Sequence, residues 1–130
     1  ERGLQKVATF DEVNAYERAN YQNLSPRPTL GIVSGLHELF PDNDLILQSL
    51  YGFGDAIEPG GYLIYTGQPW HPQLEMIARC LSSHREGQDW VMRRRSQQEM
   101  DQLVEKAGFE KVHQWIDDDG IFTVSLAVKK

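Results

Sequence analysis

One cysteine, Cys80, is all the thiol chemistry in this sequence, so no internal disulfide can form. No apolar run approaches the roughly 20 residues that cross a bilayer. Basic residues are scarce too: 13 Lys and Arg face 19 Asp and Glu, a formal charge of −6. Surfaces that bind nucleic acid or anionic lipid concentrate Lys and Arg, so neither partner is expected here. A small molecule fits this balance better. An initiator methionine, a signal peptide and a targeting run are also missing, and Glu1 starts in what reads as mid-domain. The sequence therefore reads as a piece of a longer, cytoplasmic protein. What is present is 130 residues with 40% apolar content, enough for one core without disulfide or metal.

Along the chain, Lys6 to Phe10 reads as a short strand, and Asp11 to Asn23 is polar with room for one helical turn. Residues 1–28 make an irregular lead-in, and residues 29–130 make the core. Ser25-Pro26-Arg27-Pro28 is a rigid connection, because each proline fixes its φ and extends the residue before it. Thr29 to Ser34 is apolar without alternation, as expected of a central parallel strand buried on both faces. Pro41 and Asp42-Asn43-Asp44 can cap a helix whose Leu47, Leu50, Tyr51, Gly54 and Ile57 share a face. Pro59-Gly60-Gly61 ends it, and Tyr62 to Thr66 is the second core strand. A helix is expected from Pro72 to Ser83, with Leu74, Ile77, Ala78 and Leu81 aligned and Cys80 packed within it. Ser96 and Glu99 form a capping box for a further helix with Met100, Leu103, Val104 and Ala107 on one side. Phe109 to Ile116 and Ile121 to Val128 flank Asp117-Asp118-Asp119-Gly120, a hairpin signal that closes the chain with an antiparallel pair.

The order of these elements, centred on Asp55-Ala56-Ile57-Glu58-Pro59-Gly60-Gly61-Tyr62-Leu63-Ile64-Tyr65, resembles the second half of class I, S-adenosylmethionine-dependent methyltransferases. The implied fold is α/β: a partial Rossmann-like methyltransferase sheet with a C-terminal antiparallel hairpin, lacking the first two strands. Ser34 to Asp44 together with Thr66-Gly67-Gln68-Pro69-Trp70-His71-Pro72-Gln73 is similar, more narrowly, to a bacterial methyltransferase family often fused behind an α/β-hydrolase domain. The resemblance implies methyl transfer to a small-molecule acceptor in the full-length protein. It also implies that this chain holds only part of the cofactor site. Ser34 and Gly35 would lie along the cofactor at the carboxyl edge of the fourth family strand. Asn14 would stand where the family commonly has an acidic residue beside adenine; its amide oxygen can accept a hydrogen bond but brings no charge. Lys6 to Phe10 would be the third family strand, separated from the sheet by the missing pair. An alternative is a non-catalytic structural or interaction module derived from such a half-domain.

Candidate chemistry gathers behind the two core strands. His37 and Glu38 follow the first, where a histidine could act as general base and a glutamate could orient it; both could equally cap the next helix. His37-Glu38 begins like a His-Glu-x-x-His zinc motif, but Pro41 and Asp42 break the spacing, so no metal is expected. Trp70 and His71 follow the second strand, at the edge where the family places its acceptor: an aromatic wall and a proton acceptor, or a buried Trp and a solvated His. Arg93-Arg94-Arg95 reads more simply as a solvated face than as a grip on an anionic acceptor. Gly52-Phe53-Gly54 lacks a preceding strand and reads as a packing site rather than a nucleotide turn. His84 and His113 have no partner at ligand spacing. Without the upstream strands, Thr29 to Ser34 is expected to be an open apolar edge prone to self-association.

Overall fold

A computed structural model describes residues 3, 7–82, 87, 89, 90 and 93–130. Its elements are β1 (Leu30–Val33), α1 (Asn43–Ala56), β2 (Tyr62–Gly67), α2 (Leu74–Cys80), α3 (Gln97–Lys106), β3 (Phe109–Ile116) and β4 (Thr123–Lys129). The four strands form one sheet in the order β1-β2-β4-β3. β1 and β2 are parallel, with Leu30 opposite Tyr62 and Val33 opposite Tyr65. β4 runs antiparallel to both β2 and β3. This is the α/β sheet with a closing antiparallel hairpin that the element order implies.

Local chemistry explains each boundary. The Asp42 side chain accepts the Asp44 N–H at 2.8 Å and starts α1. At its other end Arg27 donates to the carbonyls of Asp55, Ala56 and Ile57 at 2.5, 3.2 and 3.1 Å, and Lys129 donates to those of Gly54 and Ile57. Two cations on the last turn satisfy orphan carbonyls and oppose the negative end of the helix dipole. Gly60 then takes φ +79°, and a Cβ on Gly61 would stand 2.8 Å from Thr29 O, so the Pro-Gly-Gly turn needs both glycines. Ser96 Oγ accepts the Glu99 N–H at 3.1 Å to open α3. In the hairpin Gly120 has φ +68°, and Asp117 accepts the Phe122 N–H at 2.8 Å.

The core lies on one face of the sheet, where Val33, Leu63, Tyr65 and Ala127 meet Ile46, Leu50 and Ile57 from around α1 and Met100, Leu103 and Val104 from α3. The buried side of α1 is rotated from the expected Leu47–Tyr51 line, because the lead-in covers it too. A Cβ on Gly52 would sit 2.3 Å from the Tyr21 ring, and one on Gly54 2.8 Å from Ala107 O, so Gly52-Phe53-Gly54 is a packing site.

Three expectations need correction. Thr29 to Ser34 is not buried on both faces: β1 lies at the edge of the described sheet, as expected, but it alternates, with Gly31 and Val33 buried and Ile32 61% exposed. Val7 to Phe10 forms no strand, since none of the described strands pairs with it; Lys6 lies outside the described residues. The helix after β2 is shorter than expected, Leu74–Cys80 with no buried residue, and Cys80 is exposed. Ser83 and His84 lie outside the described residues.

Among the described residues no strand pairs with the outer side of β1. The isolated 130-residue chain should self-associate through this apolar edge, which light scattering at increasing concentration will show as species larger than a monomer. A clean monomer throughout would contradict it.

Candidate functional site

β1 and β2 are parallel, so their carboxyl ends open on the same side of the sheet, where α/β folds place ligands. The loop after β1 turns at Gly35, φ +67°, whose N–H donates to Thr66 Oγ1 on β2 at 2.9 Å. It then enters a 3-10 turn at His37–Leu39. The side chains of Tyr16, Ser49 and Arg95 fix this loop. The Tyr16 hydroxyl donates to Leu36 O at 2.8 Å, with the Tyr16 ring edge-on to Phe40. His37 Nε2 bonds Ser49 Oγ on α1 at 3.2 Å. Arg95 donates to His37 O at 2.8 Å and Phe40 O at 2.9 Å, and also to Asn43 Oδ1 at 2.7 Å. Glu38 is thereby held at the sheet edge.

A cleft of about 260 Å³ opens there. Ser34, Gly35, Glu38, Thr66 and Gln68 line its polar side, and Leu39, Trp90 and Phe122 its apolar side. Glu38 is only 9% exposed, and its Oε2 has no hydrogen-bond partner among the described residues. Burial pushes its carboxyl above the usual range, opposed by its own backbone N–H, the charges of Arg94 and Arg95, and the Thr66 hydroxyl. Arg94 donates to Gln68 Oε1 but leaves Nε and Nη2 buried and unpartnered among the described residues.

The residues singled out from the sequence do not all converge. Ser34, Gly35 and Glu38 share the cleft. His37 lies beneath it, 3% exposed, its pKa lowered to about 4 by burial and then by Arg95. His71 Nδ1 accepts the Gln73 N–H at 3.1 Å ahead of α2, and Trp70 is 57% exposed; neither lines the cleft. Asn14 shapes a local turn, its Oδ1 accepting the Tyr16 N–H at 3.0 Å. The basic run is not a solvated face: Arg95 is 6% exposed and binds the loop through three acceptors. The sequence alone gives Thr66 and Phe122 no role and reads Arg95 as solvated. An arginine triplet in an acidic chain was the available signal.

The depressed His37 predicts a pH response. Between about pH 6.5 and 4 the unfolded chain takes up a proton that the native imidazole refuses, so stability is full above 6.5 and falls as pH drops towards 4. The loss is up to about 3 kcal/mol. Urea unfolding midpoints at pH 7 and 4.5 should therefore differ less in His37→Gln than in the wild type. An equal difference would contradict the buried neutral imidazole.

A family model described as "Putative methyltransferase" matches residues 1–129. The chain belongs to this methyltransferase family. It is 58% identical over 130 residues to the "Uncharacterized protein YnbC" of Escherichia coli strain K12, covering 100% of this chain and 22% of that protein. The segment thus spans about a fifth of that relative. Among solved structures it is similar to a SAM-dependent methyltransferase from Methanosarcina mazei, with TM-score 0.65, 17% identity, 90% of this chain and 65% of that one. It is also similar to human N-acetylserotonin methyltransferase in complex with SAM, with TM-score 0.64, 14% identity, 96% of this chain and 36% of that one. At such identities these likenesses show the fold, that of class I methyltransferases. No helix among the described residues is long and apolar enough to cross a membrane.

Gly35 and Asn14, which the resemblance puts beside S-adenosylmethionine, each leave room for a ligand. A Cβ on Gly35 would meet nothing within 4 Å, so the backbone there is open to a close approach, although its N–H is already engaged by Thr66. The Asn14 oxygen keeps a second lone pair beside the one that holds Tyr16.

Proposed function

We propose that the intact protein carrying this chain transfers a methyl group from S-adenosylmethionine to a small-molecule acceptor held in the Glu38 cleft. The observation that carries this reading is a buried carboxyl with an unpartnered oxygen at the carboxyl edge of the parallel pair, in a chain of a methyltransferase family. Bound S-adenosylmethionine supplies a sulfonium methyl, exchanged for the acceptor's O–H or N–H proton with the carbon–sulfur electron pair left on the departing thioether. Along this edge Ser34 and Gly35 offer backbone to the cofactor, and Asn14 an amide oxygen. Glu38 holds the acceptor and receives its proton; a carboxyl whose pKa is raised by burial is a better base than an exposed one. Leu39, Trp90 and Phe122 keep water from the reacting atoms. His37 supports the loop from below through Nε2, His71 Nδ1 is engaged by the Gln73 N–H, and neither residue lines the cleft.

Calorimetry tests the cofactor assignment. The intact protein should bind S-adenosylmethionine at micromolar concentration, and the 130-residue chain alone weakly or not at all. Micromolar binding by the chain alone, or none by the intact protein, would overturn it.

A further inference from the structure

Resting on that reading, we infer that the cleft selects a neutral acceptor with an aromatic or similarly flat apolar body and a hydroxyl that donates to Glu38. Of the polar groups at the cleft, Thr66 Oγ1 already accepts from Gly35 and Gln68 Oε1 from Arg94. Glu38 Oε2 is the buried acceptor without a partner among the described residues, on a side chain nine-tenths buried. A buried acceptor left unpaired costs about 1–3 kcal/mol, so a ligand that donates to it recovers that cost on binding. The ligand must therefore bring a donor to this point.

Charge narrows the class further. Glu38 faces the fields of Arg94 and Arg95, both of which act on its carboxyl. An ammonium donor would meet those guanidinium groups, and a carboxylate ligand would meet Glu38 itself. A neutral hydroxyl avoids both repulsions. Trp90 and Phe122 bring aromatic surface to the same cleft together with Leu39, which suits a flat apolar body. Phe122 lies just before β4, beyond the hairpin turn, and is 45% exposed, so its ring is available rather than part of the core.

The test is calorimetry on the intact protein with four probes of one shape: 2-naphthol, naphthalene, 2-naphthoate and 2-naphthylmethylamine. The hydroxyl probe should bind about ten- to a hundredfold tighter than naphthalene, and tighter than both charged probes. Glu38→Leu should bring naphthol and naphthalene to the same affinity, and the isosteric Glu38→Gln should cut the preference about tenfold. Phe122→Ala should weaken all four probes together. A charged probe binding tightest, or Glu38→Gln keeping the full preference, would overturn the inference. S-adenosylmethionine, titrated in the same series, separates the two claims. A naphthol preference without cofactor binding contradicts the methyl-transfer reading alone, and cofactor binding without the preference contradicts the acceptor class alone.

Discussion

Glu38→Gln in the intact protein is expected to slow methyl transfer about 10²–10⁴-fold, the range for loss of a positioned general base, with little change in affinity for S-adenosylmethionine. The split follows from placement. Glu38 reaches the cleft from the 3-10 turn after β1, whereas the chain's open backbone for the cofactor is at Ser34 and Gly35. Gln keeps the shape and one acceptor oxygen but cannot take a proton at neutral pH. Single-turnover rates beside calorimetric affinities measure both quantities. A variant with unchanged rate would move the base elsewhere, first to His71. Lost cofactor affinity with the rate at saturation intact would place Glu38 in the cofactor site instead.

Arg95→Leu should cost about 3–5 kcal/mol of stability, because three acceptors that now share one guanidinium would be left without it. Two of them, His37 O and Phe40 O, bracket the turn that carries Glu38, so the same change should loosen the cleft. Arg95→Lys keeps the charge but not the fork of donors, and should recover only part of the loss. Urea unfolding gives the magnitudes. A loss below about 1 kcal/mol would mean that the loop does not depend on this arginine.

The legible parts of the sequence were those governed by short-range rules. Ser96 with Glu99, Asp42 before α1, Pro59-Gly60-Gly61 and Asp117 to Gly120 each mark a boundary through local backbone chemistry, and each stands where its residues imply. Burial was less legible. Thr29 to Ser34 has the unalternating apolar run of a strand buried on both faces, yet Leu30 and Ile32 are exposed, since what covers a strand's faces is set by the rest of the fold. The site divided in the same way. Glu38, Ser34 and Gly35 could be found because a loop behind a buried parallel strand is a place for ligands. Arg95 could not, because its three acceptors lie more than 50 positions away in the chain and no spacing rule connects them. His37 looked like a reactive group for the same reason as Glu38. Only packing shows that it bonds Ser49 below the cleft while Glu38 faces it.

The most direct measurement is the transfer of a labelled methyl group. The intact protein is incubated with methyl-labelled S-adenosylmethionine and a neutral, small-molecule extract rich in hydroxylated aromatics. Label is expected in the small-molecule fraction with the wild type, and almost none with Glu38→Gln. Label that never leaves S-adenosylmethionine, although the protein binds it, or that moves equally with both proteins, would contradict a methyl-transfer site built around Glu38.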